Sequence, residues 1–147
     1  MVIDYIMKVK MDKNERLEMA HKNHKNGFNC AQAIACVYAG MFNIDEKTAF
    51  RITEGLGLGM GAMEACGAVT AMAAVVGMKF SDGNTDAPGT KKACYKKAAE
   101  LVSEFEKKNS SIRCRDLKGI DTGTPLRSCA GCIEDAVILL EEKLINC

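Results

Sequence analysis

The stretch GLGLGMGAMEACGAVTAMAAVVGM, residues 55–78, combines alternating glycines with a run of small apolar residues. The glycines that alternate are Gly55, Gly57, Gly59 and Gly61. This alternation breaks a regular helix and allows left-handed backbone or the close approach of another segment. From about Ala62 to Met78 the composition predicts a helix, and Gly67 would let a neighbouring helix approach closely. The stretch therefore predicts a Gly-rich loop followed by a central, tightly packed helix.

The rest of the sequence also has helical spacing, and no segment shows the strict alternation typical of a half-buried strand. Good N-cap residues, Asn29 and Asp45, precede two of the helical segments. The spacing predicts helices over Lys13–Lys25, Cys30–Met41, Glu46–Glu54, Thr90–Lys108 and Ala130–Ile145, with an irregular stretch from Ser110 to Arg127. We therefore expect an all-α fold over residues 1–147, a single-domain antiparallel bundle of about five to six helices.

The charge balance argues against a nucleic-acid binder. Lys plus Arg number 20 and Asp plus Glu number 19, so the formal net charge is +1, whereas nucleic-acid binding requires a concentrated basic face. The first residues, MVIDYIMKVK, lack the basic start and continuous apolar stretch of a secretory signal. The longest weakly polar run, Cys66–Met78, is shorter than the roughly 20 residues that span a bilayer. We expect a cytoplasmic protein without membrane insertion.

Eight cysteines are unusual for such a chain. The reducing cytosol disfavours structural disulfides, so cysteine enrichment indicates metal binding or redox chemistry. Cys30, Cys66 and Cys129 are each predicted at or near the start of a helix, where unpaired N–H groups and the helix dipole favour a thiolate. Cys114 lies between two arginines in the sequence RCR, and their charges act in the same direction. These four cysteines form the predicted working set.

The other four cysteines are less informative. Cys36 and Cys94 fall within predicted helices as packing residues, and Cys147 is terminal. Cys132 forms a C-x-x-C with Cys129, a spacing that also occurs in thioredoxin-like redox motifs. No βαβ pattern surrounds this pair, and Cys132 also falls at an inward position of its helix. A dithiol role and a packing role for Cys132 therefore both stay open.

Two further features suggest weaker hypotheses. His21 and His24 are three residues apart and could share a ligand, but a solvated helix face among lysines is the simpler interpretation. The alternating glycines are not followed by the Lys-Ser/Thr of a phosphate-binding loop, nor preceded by a predicted strand. Nucleotide binding is therefore not predicted.

Four separated segments together resemble the C_GCAxxG_C_C family of short redox-active proteins. They are GFNCAQA (27–33), GLGLGMGAMEACGAVTA (55–71), IRCRDLKG (112–119) and CAGCIEDAVILLEE (129–142). The resemblance extends over about residues 17–142, and the order and spacing of four motifs make it specific. One departure is Ala71, where the family motif ends in glycine; a small residue there should keep the packing close.

The resemblance implies redox activity, and it implies a defining set of cysteines. Carried over to this sequence, the set is Cys30, Cys66, Cys114 and Cys129, the same residues that the helix positions and flanking charges select. Cys132 occupies a place that is often apolar in similar sequences, which favours packing for this residue.

The first functional hypothesis is metal–sulfur binding by the four cysteines of the working set. Four thiolates complete a [2Fe–2S] or [4Fe–4S] iron–sulfur cluster, or a tetrahedral zinc site. Backbone N–H groups of the Gly-rich region, at Gly59, Gly61 and Gly67, would approach the sulfurs and tune the potential. Widely separated ligands suit a cluster between helices better than a ribbon-type zinc site. The expected role is electron transfer or redox sensing.

The second hypothesis is metal-free thiol–disulfide exchange, as an oxidoreductase or relay. Pairs such as Cys30–Cys66 and Cys114–Cys129 would cycle between dithiol and disulfide. The third is a helical scaffold or adaptor with structural cysteines. The first two imply a redox partner protein that the sequence does not identify. The small-residue central helix could also pack on a second subunit, so a homodimer stays open.

Overall fold

The computed structural model describes residues 11–146, which form seven α-helices and no β-strand. In chain order they are α1 (Lys13–Lys25), α2 (Cys30–Tyr38), α3 (Glu46–Thr53), α4 (Gly67–Phe80), α5 (Lys91–Asn109), α6 (Cys114–Lys118) and α7 (Cys129–Leu140). Short 3-10 turns cover Ala39–Phe42 and Glu54–Leu56, and π-turns cover Gly59–Met63 and Glu141–Ile145. The all-α prediction is confirmed. Two parts of the chain lie outside the described residues: Met1–Lys10, the segment that lacks the features of a secretory signal, and Cys147.

Helices α2 and α3 begin at the predicted N-cap residues. The side chain of Asn29 accepts a hydrogen bond from the Gln32 N–H at 2.9 Å, and the Gln32 side chain accepts one from the Asn29 N–H at 3.0 Å. This reciprocal capping box satisfies two N–H groups at the start of α2. Asp45 caps α3 in the predicted place. Helix α1 has the predicted bounds, whereas α2 ends earlier than predicted because the chain tightens into a 3-10 turn after Tyr38.

The central helix, α4, begins at Gly67 instead of about Ala62. The preceding segment contains a run of left-handed residues, with positive φ at Leu58, Gly59, Met60, Gly61 and Met63. Such backbone cannot continue a right-handed helix. The segment folds instead as a π-turn, and Cys66 is the N-cap of α4. The Gly-rich loop is therefore longer than the sequence suggested.

The core forms around α2, in which every residue from Ala31 to Tyr38 is buried. Helices α4, α5 and α7 contribute apolar faces to the same cluster, including Met72, Leu101 and Ile133. One face of the last helix and of the turn after it is turned inward, since Ile133, Val137, Leu140 and Leu144 are all fully buried. Within residues 11–146, no helix is both long enough and apolar enough to cross a membrane.

A buried ion pair joins α1 to the carboxyl end of α7. The Arg16 guanidinium donates to both carboxylate oxygens of Glu141 at 2.9–3.1 Å, and the Tyr38 hydroxyl donates to the same carboxylate at 2.9 Å. Arg16 is 4% exposed and Glu141 1%. Burial raises the pKa of Tyr38, so its hydroxyl keeps the proton that it donates. The network fixes α1 and α2 against the last helix.

Replacing Glu141 by Gln should lower the free energy of unfolding by about 3 kcal/mol, because it leaves the Arg16 charge buried without an ionised partner. Urea unfolding followed by circular dichroism measures this change. The matched control is Glu142→Gln: this neighbouring side chain is exposed, and its replacement should change the free energy by less than about 0.5 kcal/mol. Similar effects of the two substitutions would contradict a structural role for the buried pair.

Candidate functional site

One cavity of about 170 Å³ collects most of the cysteines of the chain. It contains all four cysteines of the predicted working set and one more, Cys132. The sulfur-bearing residues that line it are Cys30, Cys66, Cys114, Cys129 and Cys132. Residues far apart in the sequence are thus brought to one place, as the hypothesis of a shared redox centre requires.

Helix starts position three of these side chains. Cys30 is the first residue of α2 and follows the Asn29 cap. Cys129 is the first residue of α7, where the Ser128 hydroxyl accepts a hydrogen bond from the Gly131 N–H at 3.0 Å. Cys66 is the N-cap residue of α4. The predicted placement at helix starts is confirmed, and the N–H groups and dipoles of these helices favour negative charge in the cavity.

Two backbone hydrogen bonds join the segment that ends at Cys66 to the segment that ends at Cys114. The Cys66 N–H donates to the Ile112 carbonyl at 2.8 Å, and the Cys114 N–H donates to the Glu64 carbonyl at 2.6 Å. Together they form an isolated antiparallel bridge between Ala65 and Arg113. The stretch predicted as irregular is therefore anchored to the Gly-rich loop, and it contains the short helix α6.

The three glycines expected to border the centre have different surroundings. A Cβ on Gly67 would lie 3.1 Å from the Ala31 nitrogen and 3.3 Å from the Cys30 Cβ, so α4 starts directly against the first turn of α2. A Cβ on Gly59 would lie 2.9 Å from the Cys114 Cβ. Nothing lies within 4 Å of the corresponding point on Gly61. Gly67 and Gly59 therefore shape the cavity by close approach, whereas Gly61 serves the left-handed turn.

Cys30 and Cys129, here named the outer pair, both line the cavity and shift each other's pKa. Interaction with the Cys30 thiol lowers the pKa of Cys129 to about 5, and the nearby Lys118 ammonium lowers it further against the effect of burial. Interaction with Cys129 and burial raise the pKa of Cys30. Lys118 Nζ lies 3.6 Å from Cys129 Sγ, and the thiolate in turn raises the pKa of Lys118. Both cysteines are partly exposed.

Cys66 and Cys132, here named the inner pair, also line the cavity together. Interaction with Cys132 lowers the pKa of Cys66 to about 7, and the N–H groups of Ala68 and Val69 act in the same direction. Interaction with Cys66 and burial raise the pKa of Cys132. The two side chains are only 5% and 2% exposed. The strongest electrostatic partners are therefore Cys30 with Cys129 and Cys66 with Cys132, and the example pairs drawn from the sequence stay a prediction.

The expectation that every cysteine of the working set favours a thiolate is wrong for two of them. Interaction with Cys129, together with burial, raises the pKa of Cys30. Burial raises the pKa of Cys114. The arginines beside Cys114 instead pair with carboxylates: Arg113 with Glu64 at 3.3 Å and Arg115 with Asp121 at 2.7 Å.

Sequence reasoning underrated three residues of the cavity. The sequence favours packing for Cys132, yet it lines the cavity with Cys66 and lowers the pKa of Cys66; the C-x-x-C spacing is the available signal. Lys118 lies four residues after Cys114 on α6, a spacing that puts both on one helix face. The sequence places His24 on a solvated face, yet it lines the cavity.

The donor set of the cavity consists of soft sulfur ligands, the type that iron–sulfur clusters use. No disulfide joins any of the seven cysteines among the described residues. Within residues 11–146, no group of three or more His, Cys, Asp or Glu side chains is arranged to hold one metal ion. The cavity is lined instead by the outer pair, the inner pair and Cys114.

Comparison with known proteins gives one match. The family model described as "Putative redox-active protein (C_GCAxxG_C_C)" matches residues 28–143, which include all five cysteines of the cavity. The resemblance drawn from four sequence motifs is thereby confirmed. No curated protein and no solved structure matches the chain significantly.

Alanine substitutions at Gly59 and Gly61 should separate close packing from backbone strain. Both glycines are left-handed, with φ of 58° and 73°, so either alanine introduces about 1–2 kcal/mol of strain. Only at Gly59 would the added Cβ also come within 2.7 Å of the Glu64 carbonyl oxygen, and overpacking of this kind costs about 1–3 kcal/mol more. Urea unfolding should therefore show a lower free energy of unfolding for Gly59→Ala than for Gly61→Ala. Equal free energies of unfolding would show that Gly59 is not tightly packed against Glu64.

Proposed function

The chain belongs to the C_GCAxxG_C_C family, and from this premise we propose that it is a thiol–disulfide redox protein. In this proposal Cys129 is the nucleophile and Cys30 is the resolving thiol. The substrate is a disulfide on a partner protein, and a dithiol donor regenerates the reduced site. The family description supports redox activity in general; the assignment of roles is drawn from the cavity.

The shared placement of Cys30 and Cys129 is the observation that carries the proposal: each is the first residue of a helix, both line the cavity and both are partly exposed. Disulfide exchange needs a thiolate as the attacking group and a second thiol close enough to resolve the mixed disulfide. The pKa of Cys129 is lowered, and Cys30 lines the same cavity. Lys118 supports the charge from 3.6 Å. Both sulfur-bearing residues are partly exposed, which gives a partner access to them.

The reaction balances with these groups. The Cys129 thiolate attacks one sulfur of the partner's disulfide, which forms a mixed disulfide and releases the first partner thiolate. Cys30 then gives its proton to that thiolate and attacks the Cys129 sulfur, which releases the second partner thiolate. The partner gains an electron pair, and the outer pair becomes a disulfide. The dithiol donor reverses the change at the outer pair.

Alkylation at pH 6 tests the state of Cys129. With a pKa of about 5, this thiol is ionised at pH 6 and loses its charge as the pH falls through about 5, whereas an ordinary thiol of pKa about 8.5 is less than about 1% ionised. A low-pKa thiolate is intrinsically less nucleophilic, which offsets part of the increase in alkylation rate that the larger ionised fraction gives. We therefore expect Cys129 to react with iodoacetamide about tenfold faster in the folded protein than in guanidinium, as mass spectrometry of its peptide will measure.

The outer pair itself is tested by oxidation. Excess diamide should join Cys30 to Cys129, and dithiothreitol should reverse the bond. Cys94→Ser is the matched control, because Cys94 is partly exposed but lies outside the cavity; this variant should form the same disulfide. Slower alkylation of Cys129 in the folded protein, or no disulfide involving Cys129, would overturn the proposal.

A second candidate, an iron–sulfur cluster, is favoured by a different observation. Five cysteines around one cavity exceed what a single dithiol needs, and the starts of α2, α4 and α7 favour negative charge there. The residues that would hold a cluster are Cys30, Cys66, Cys114 and Cys129. A cluster would supply one-electron transfer, and the N–H groups of Ala68 and Val69 that reach Cys66 are of the kind that tunes its potential.

Purification without oxygen tests the cluster. Matched iron and acid-labile sulfide with visible absorption that bleaches on reduction would support it, and Cys66→Ser should abolish the absorption while Cys94→Ser keeps it. A colourless protein without iron or sulfide, in which the outer pair oxidises reversibly, would reject the cluster and support thiol exchange.

A further inference from the structure

We propose that Cys66 and Cys132 form a second redox couple, which exchanges with the outer pair by disulfide interchange inside the cavity. The inference rests on the thiol–disulfide function proposed above and extends it. The inner pair would store electrons that reach the surface only through Cys30 and Cys129. The site would then hold twice as many electrons as a single dithiol.

Shared placement in the cavity is the first support for this couple. Cys66 and Cys132 both line the cavity, and both are almost fully buried there. Each is also the residue that shifts the pKa of the other most strongly. The two residues come from α7 and from the N-cap of α4, so a disulfide between them would join two different helices.

Each member of the inner pair also has a neighbour in the outer pair. Cys129 and Cys132 are three residues apart on α7, a spacing that puts them on one helix face. On the other side, the residue after Cys66 packs against Cys30, since a Cβ on Gly67 would lie 3.3 Å from the Cys30 Cβ. The two pairs also interact electrostatically across the cavity.

The exchange balances without an external reagent. When the outer pair is a disulfide, the Cys66 thiolate attacks the Cys30 sulfur, which forms a Cys30–Cys66 bond and releases the Cys129 thiolate. Cys132 then loses its proton and attacks Cys66, which closes the Cys66–Cys132 disulfide and releases Cys30 to take up that proton. An electron pair has moved from the inner to the outer pair. The low pKa of Cys129 makes it a good leaving group.

Burial explains why the inner pair needs the outer pair. Cys66 and Cys132 are 5% and 2% exposed, so an external disulfide or oxidant reaches them poorly. Cys30 and Cys129 are partly exposed and line the same cavity. A disulfide formed at the outer pair is therefore the accessible route inward.

Counting and mapping disulfides tests the couple. The experiment uses the full chain with Cys114→Ser, which removes the fifth cavity thiol, and stepwise additions of diamide followed by acid quenching and mass spectrometry. We expect two disulfides, Cys30–Cys129 and Cys66–Cys132, to form in succession. With Cys132→Ser added, only Cys30–Cys129 should form. A single disulfide at Cys30–Cys129 in the Cys114→Ser protein would overturn the inference and leave the proposed function intact.

The route is tested by rate. With Cys129→Ser added, oxidation of the inner pair should slow at least about tenfold because direct access is poor, whereas Cys94→Ser should leave the rate unchanged. Circular dichroism establishes that each variant is folded, and Cys30→Ser replaces Cys129→Ser if that variant unfolds. An unchanged rate in these variants would overturn the relay. Failure of the Cys114→Ser protein to form Cys30–Cys129 would instead count against the proposed function.

Discussion

The close approach of α2 and α4 at their first residues is the constraint on which the cavity depends. A side chain on Gly67 would press on the Ala31 nitrogen at 3.1 Å, so glycine is the residue that leaves both helices in place. Because Cys30 opens α2 and Cys66 caps α4, this contact fixes two of the cavity cysteines relative to each other. The bridge at Ala65 then adds Cys114, and the packing of α7 on α2 adds the last two.

Charge is the second constraint, because closely spaced thiolates in a buried cavity repel each other. The outer and inner pairs reduce this repulsion because in each pair one pKa is raised and the other lowered. Cys30 and Cys129 both open a helix, yet the pKa of Cys30 is raised and that of Cys129 is lowered, since each shifts the other in the opposite direction. Lys118 and the helix starts offset the charge that is left.

Local signals carried much of the prediction. Asn29 and Asp45 predicted two helix starts because capping depends on residues only three positions away. The start of α4 was missed because non-glycine residues such as Leu58 and Met60 adopt left-handed backbone, which tertiary contacts impose and propensity does not reveal. The four cysteines of the working set could be selected together because helix starts and flanking charges gave them a shared chemistry. The positions of Cys132 near Cys66, and of Lys118 near Cys129, depend on how segments distant in the sequence pack together. Helix propensity and cysteine spacing do not predict that packing.

The proton count also links the two candidate chemistries of the cavity. Metal ligation requires deprotonated sulfur, whereas the pKa values of Cys30 and Cys132 are raised, which favours their protonated thiols. Ligation by Cys30 would therefore release a proton and remove the thiol that lowers the pKa of Cys129. Disulfide formation within the outer pair would instead bond the same two sulfurs to each other. Thiol exchange and cluster binding therefore compete for Cys30 and Cys129, and both require Cys30 to lose its proton.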